Sequence, residues 1–156
     1  MLVERIKKDL INHVKKGDKL RISITRLLLA AIKDKEISLG KNQESDEHIS
    51  DNDVMNIINQ MIKQRNLTVK TYLDANRKDL ADKEESEANM LSEYLPEQIS
   101  EFELKKLIEK VLIDLEAKSI RDMGKVMQFL KDKHAGSFDF QKASEFVKKS
   151  LSEMKQ

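Results

Sequence analysis

The amino-acid sequence predicts an all-α protein built from two groups of helices. Apolar residues recur at helical spacing through nearly the whole chain, and helix breakers are few, with four glycines and one proline in 156 residues. Pro96 disfavours helix at the residue before it and divides the chain. We therefore expect a four-helix N-terminal domain over residues 1–96, joined to a three-helix C-terminal domain over residues 97–156.

The first two helices are separated by a glycine and an aspartate. A helix over about residues 2–16 should end at Gly17, which adopts left-handed backbone at little cost. Asp18 can cap the second helix, over about 18–39. Their inward-facing residues are predicted to be Val3, Ile6, Leu10 and Val14, then Leu20, Ile24, Leu27, Leu28, Ala31 and Ile32.

A polar loop over 41–48 leads to a helical pattern too long for one helix of a globular domain. Asn76 tolerates left-handed backbone, so we expect a hairpin of helices over about 51–76 and 79–94, the second capped by Asp79. Its two arms should share a polar network of Lys63, Arg65, Tyr72, Arg77, Glu84 and Glu87. Such networks more often fix geometry than carry out chemistry.

The tail contains two capping boxes, at Ser100–Glu103 and Ser119–Asp122. A last helix should begin near Asp139. We expect Phe138 and Phe140 to belong to the core of this part.

The net charge of +1 conceals a segregation of charge along the chain. Residues 1–41 carry eleven Lys or Arg against five Asp or Glu, whereas residues 42–98 carry six against thirteen. Either the front helices neutralise the acidic hairpin, or they present a basic face to a polyanion. Aromatic residues are not interleaved with the basic ones, so recognition of a nucleic acid would have to use its backbone or shape.

Most catalytic chemistries find no support in the sequence. The three histidines fall on different elements without metal-ligand spacing, cysteine is absent, and no nucleophile elbow or phosphate-binding loop is present. Glu84, Glu85 and Glu87 can be read as paired carboxylates but are more typical of a solvated face. We assign no catalytic residue, cofactor, metal or membrane contact, and we expect a soluble cytoplasmic protein.

Gly124 is unusual because it falls in the first turns of a helix, where glycine is costly. Close approach should compensate, either by another helix or by a ligand that meets the helix N-terminus. Backbone donors over 120–123, with Arg121 and Lys125 beside them, would suit a phosphate.

Several ordered blocks of the sequence resemble the YqeY family, also called GatB/YqeY domain proteins. These blocks are Arg26–Ile37, Lys63-Gln64-Arg65, Asn76–Ala81 with Lys83, Glu84 and Glu87, Tyr94-Leu95-Pro96, and Asp122–Met127. The resemblance covers nearly the whole chain. It implies a four-helix domain joined to a three-helix tail similar to that of the B subunit of the glutamine-dependent tRNA amidotransferase.

In that enzyme the tail resembles a tRNA-contacting module, whereas the catalytic domains are absent here. The family label of carbon–nitrogen ligase, with glutamine as amido donor, therefore reflects the association with that enzyme. It does not imply that this chain carries out the reaction. The resemblance implies a noncatalytic tRNA-related binding or accessory protein, and a helical protein–protein adaptor is the alternative. The candidate RNA-binding residues are Ser119, Arg121, Gly124 and Lys125. Arg21, Arg26 and Lys33 are included because of their charge, not because they match a family motif.

The sequence departs from the family pattern after Gly136. Ser137 to Phe140 stand where the family commonly has a basic residue, a small residue, Asp and Gly, and Gln128 stands where glycine is frequent. The lost basic side chain removes one possible phosphate contact from this loop.

Overall fold

The computed structural model describes residues 1–41 and 48–154. Within those ranges the chain forms α-helices, one short 3₁₀ helix and no strand, which confirms the all-α prediction. The elements are α1 (Leu2–Lys16), α2 (Lys19–Ser38), α3 (Asp51–Asp74), α4 (Lys78–Ser92), α5 (Glu101–Asp114), the 3₁₀ helix (Ile120–Asp122), α6 (Met123–His134) and α7 (Phe140–Glu153). Most of the expected polar loop over 41–48 lies outside the described residues.

Two compact units are present, one over Met1–Leu95 and one from Pro96 onward. The first contains α1 to α4 and the second α5 to α7. That each unit is a separate folding domain stays a prediction.

The helix ends follow the local signals in the sequence. Gly17 and Asn76 have left-handed φ angles of 68° and 56°, which end α1 and turn the α3–α4 hairpin. Asp18 Oδ1 accepts a 3.1 Å hydrogen bond from the backbone of Arg21 and caps α2. The prediction for Asp79 was wrong, because α4 begins one residue earlier and Arg77 occupies the cap position.

The N-terminal unit packs its four helices around one apolar cluster. Its buried residues are Val3, Ile6, Ile24, Leu28, Ile32, Ile49, Val54, Ile58 and Leu91. Val14 and Leu27, both predicted to be buried, are each 51% exposed. The stripes of α1 and α2 are wider than the surface that their neighbours cover.

The C-terminal unit has a cluster of its own. Its buried residues are Leu104, Ile108, Val111, Leu112, Ala117, Val126, Met127, Leu130, Phe138, Ala143, Val147 and Leu151. Phe138 is buried as expected, whereas Phe140, the first residue of α7, is exposed. The prediction that Phe140 belongs to the core of this unit was wrong.

Candidate nucleic-acid interface

The start of α6 is held in shape by the second capping box. Asp122 Oδ2 accepts hydrogen bonds from the backbone N–H groups of Lys118 at 2.7 Å and Ser119 at 3.2 Å. These bonds lower the pKa of the Asp122 carboxyl below its usual range. A fixed turn therefore precedes the helix, and the positions of the neighbouring basic residues follow from it.

The backbone donors of this turn are already bonded. Arg121 N donates to Ser119 Oγ at 3.3 Å, Asp122 N donates to the Ser119 carbonyl at 2.9 Å, and Met123 N donates to the Ile120 carbonyl. The expectation that these donors stand open for a phosphate was therefore wrong for three of the four residues. A polyanion at this turn would be bound by side chains.

Gly124 is exposed, and among the described residues no atom beyond its chain neighbours and its own helix backbone lies within 4 Å of the position that a Cβ would occupy. A packed helix is therefore not the reason for glycine here, which overturns the first of the two explanations offered from the sequence. The second explanation, close approach of a ligand, agrees with the open space above the residue.

Three basic residues surround this glycine in the sequence and are exposed. We call Lys118, Arg121 and Lys125 the α6 basic patch. Lys125 Nζ donates a 2.7 Å hydrogen bond to the carbonyl of Leu115, just beyond the last turn of α5. An ammonium group has three N–H donors, so this bond positions the charge and leaves donors for another acceptor.

The three basic candidates of the N-terminal unit differ in their surroundings. Arg21 donates from Nη1 and Nη2 to the two carboxylate oxygens of Glu93, at 2.8 and 2.9 Å. This pairing holds the pKa of Glu93 below its ordinary value. Arg26 and Lys33 are exposed and, seven residues apart on α2, share one helix face.

The hairpin network is only partly assembled. Arg65 Nε donates to Glu87 Oε2 at 3.1 Å, and the two side chains are only 13% and 9% exposed. Arg77 instead pairs with its neighbour Asp79 on the surface. Among the described residues, no hydrogen bond or ion pair joins Glu84 or Tyr72 to Arg65.

The sequence did not indicate a second polar cluster in the N-terminal unit. Tyr94 Oη donates to Asp9 Oδ2 at 2.8 Å, and the guanidinium of Arg5 lies 5.0 Å from the centre of the Tyr94 ring. Burial, followed by this hydrogen bond, raises the pKa of the phenol. Arg5, Asp9 and His13 follow one another at intervals of four residues. This spacing could have predicted one polar face on α1.

Over residues 1–41 and 48–154, no group of three or more His, Asp or Glu side chains is placed to hold a metal ion. No helix in that part of the chain is long and apolar enough to cross a membrane.

Comparison with known proteins identifies the family. Residues 3–151 match the family model described as Yqey-like protein. The chain belongs to the YqeY family. The resemblance inferred from the sequence blocks is thereby confirmed, over nearly the whole chain.

Relatives of this YqeY protein occur in yeasts. One from Vanderwaltozyma polyspora, named "Altered inheritance of mitochondria protein 41, mitochondrial", is 36% identical over 115 residues, which are 72% of this chain and 60% of that protein. Proteins of the same name from Lachancea thermotolerans and Saccharomyces cerevisiae are 32% and 29% identical, over 72% and 75% of this chain and 59% and 62% of theirs. The chain thus spans about 60% of the length of these relatives.

These names correct the expectation of a cytoplasmic protein, because the similar proteins are named as mitochondrial. The expectation rested on finding neither a secretory-signal pattern nor a membrane-spanning stretch in the sequence. Those two patterns concern secretion and membrane insertion, so they do not separate the cytoplasm from the interior of an organelle.

Proposed function

We propose that this YqeY protein is a noncatalytic tRNA-binding or accessory protein that contacts the RNA backbone through the α6 basic patch. The proposal rests on one observation above all. Lys118, Arg121 and Lys125 are exposed near the start of α6 in the sequence, where the exposed Gly124 leaves open space in place of a side chain. Basic side chains bind phosphates, and a missing side chain lets a sugar–phosphate backbone come close.

The resemblance of the tail to the tRNA-contacting tail of the amidotransferase B subunit supports the same ligand. Ser119 contributes by shaping the turn, since its hydroxyl oxygen accepts from Arg121 N. Arg26 and Lys33 offer a further basic surface on α2, whereas Arg21 is held by Glu93 and is a weaker candidate.

Carboxylate chemistry at the hairpin is disfavoured by the pairing of Glu87 with Arg65, because the Glu87 carboxylate is mostly buried and already bonded to the guanidinium. We therefore propose binding without catalysis. From the names of the relatives we also propose that the protein acts in mitochondria.

The proposal is tested by fluorescence anisotropy of labelled bulk tRNA titrated with the full chain at several salt concentrations. We expect affinity to fall steeply with salt, because phosphate contacts release counterions. Arg121→Ala should weaken binding of all tRNAs similarly and lower the slope of log K against log salt by about 1.

Lys149→Ala is the matched control, since Lys149 is an exposed lysine of α7 outside the patch. It should change neither the affinity nor the slope. Salt-independent binding, or equal losses in the two variants, would contradict the proposal.

A further inference from the structure

Helix α2 has more apolar surface than the N-terminal unit covers. Ile24, Leu28 and Ile32 face the core, but Leu27 and Ile37 are 51% and 63% exposed. Single exposed apolar residues are common on proteins, whereas contiguous ones mark an interaction surface. The residues beside Leu27 therefore decide whether it belongs to such a surface.

The uncovered side continues onto α1 and forms a shallow groove between the two helices. Its lining residues are Val14, Lys19, Ile22, Ser23, Arg26 and Leu27. Val14, Ile22 and Leu27 supply an apolar surface, and Lys19 and Arg26 supply positive charge. We call this surface the α1–α2 groove.

The acidic residue that precedes Lys19 in the sequence, Asp18, is already engaged by another residue. Asp18 caps α2 and lies 3.7 Å from Arg21 Nε. Residues 1–41 as a whole carry eleven Lys or Arg against five Asp or Glu. An occupant with acidic residues beside an apolar stripe would complement both properties of the groove.

RNA fits this groove less well than a protein segment does. Of the six lining residues none is aromatic, so bases have no ring on which to stack. Covering Val14 and Leu27 with phosphate or ribose would gain little, whereas covering them with Leu or Ile removes apolar surface from water.

We propose that the α1–α2 groove binds an amphipathic helix of a partner protein, whose apolar face covers Val14, Ile22 and Leu27 and whose acidic residues meet Lys19 and Arg26. This is the helix-in-groove mode of recognition. The inference goes beyond tRNA binding, because the groove lies in the other unit from the α6 basic patch and shares only Arg26 with the candidate RNA-binding residues.

The test uses the full chain with a photo-crosslinking amino acid at position 27, in an organelle extract treated with ribonuclease. Crosslinked peptides are identified by mass spectrometry. The control carries the same group at position 67, since Leu67 is an exposed leucine of α3 outside the groove. We expect position 27 to capture a helical segment of another protein with Asp or Glu beside its apolar residues.

Arg26→Glu should lower the yield of that crosslink at least tenfold, because it reverses the charge that the acidic segment meets. A synthetic peptide of the captured segment should bind Leu27→Ser at least tenfold more weakly than Leu67→Ser. Capture of RNA in a parallel extract without ribonuclease, capture of a second copy of this chain, a yield no higher than at position 67, or indifference to Arg26→Glu would each overturn the proposal. Circular dichroism of each variant checks that a lost crosslink or weaker binding is not caused by unfolding.

Discussion

The phenol of Tyr94 donates a 2.8 Å hydrogen bond to the carboxylate of Asp9, a residue 85 positions earlier in the chain. Tyr94 follows the end of α4 and precedes Pro96 by two residues, whereas Asp9 lies in the middle of α1. The bond therefore fixes the last turn of the N-terminal unit to its first helix. Arg5 adds a cation–π contact to the same ring.

Replacing Tyr94 with Phe keeps the ring but removes the donor. We expect the free energy of unfolding at neutral pH to fall by about 1 kcal/mol, because Asp9 loses a hydrogen bond while remaining partly solvated. Urea denaturation followed by circular dichroism measures this. Tyr72→Phe is the matched control; an equal loss in that variant would argue against a specific role for the Asp9 bond.

The same tyrosine predicts a dependence on alkaline pH. Burial and the Asp9 bond raise the pKa of the Tyr94 phenol above its ordinary value of 10.0. Stability from the neutral phenol is therefore complete below pH 10 and is lost as the pH rises above it, since the unfolded chain ionises first. The urea midpoint of the native sequence should fall more between pH 10 and 11.5 than that of Tyr94→Phe. Parallel curves would contradict this.

The Arg65–Glu87 pair predicts a large effect of removing one partner. Both side chains are mostly buried, so Glu87→Leu leaves the guanidinium with an uncompensated charge and should cost about 3 kcal/mol. Adding Arg65→Met should recover most of that loss, because a buried pair replaced by apolar residues is close to neutral. Urea denaturation of the single and double variants gives the coupling free energy.

The exposed Arg77–Asp79 pair is the control for this cycle. Arg77→Ala should change the urea midpoint little, because surface pairs are screened by water and salt. If Glu87→Leu had an equally small effect, the hairpin pair would have no special structural role.

The local features of the fold follow from the sequence because their causes are local. The left-handed turn at Asn76 and the caps at Asp18 and Ser100 depend on residues within four positions. The pairing of Arg65 with Glu87 was also accessible, because an antiparallel hairpin aligns residues equally far from its turn.

The sequence could not show how much of each helix surface is covered by the neighbouring helices. Periodicity places Val14 and Leu27 on apolar stripes, but the position and angle of the neighbouring helices decide how wide a stripe is buried. The Tyr94–Asp9 bond has the same origin, since it requires the end of one hairpin to lie beside α1. Whether the backbone N–H groups before α6 are bonded or open also depends on side-chain geometry, which sequence spacing alone does not fix.

The lowered pKa of Asp122 predicts that folding stability depends on pH in the acidic range. Hydrogen bonds from Lys118 N and Ser119 N lower its pKa below the ordinary value of 3.8. The carboxylate therefore contributes stability above pH 3.8, and this contribution is lost as the pH falls through the lower folded-state value. Asp122→Asn should flatten the acid limb of thermal stability below pH 4 relative to the native sequence. An equally steep acid limb in the variant would show that Asp122 is not responsible.

Gly124 offers a test in which stability and binding move in opposite directions. Its φ angle is not in the left-handed region, and within the described part of the chain a Cβ would meet no atom closer than 4 Å apart from its chain neighbours and its own helix backbone. Gly124→Ala should therefore raise the free energy of unfolding by about 0.5 kcal/mol through a lower entropy of the unfolded chain. Gly17→Ala has the same open space but a φ of 68°, so it should instead cost about 1 kcal/mol.

The affinity for tRNA then decides why glycine occupies position 124. If an RNA backbone approaches the α6 basic patch at this point, the added methyl group should weaken binding several-fold in the very variant that is more stable. Anisotropy titrations of both alanine variants at one salt concentration measure this, with Gly17→Ala expected to bind normally while folded. A Gly124→Ala protein that is more stable and binds tRNA unchanged would show that the open space serves no RNA contact.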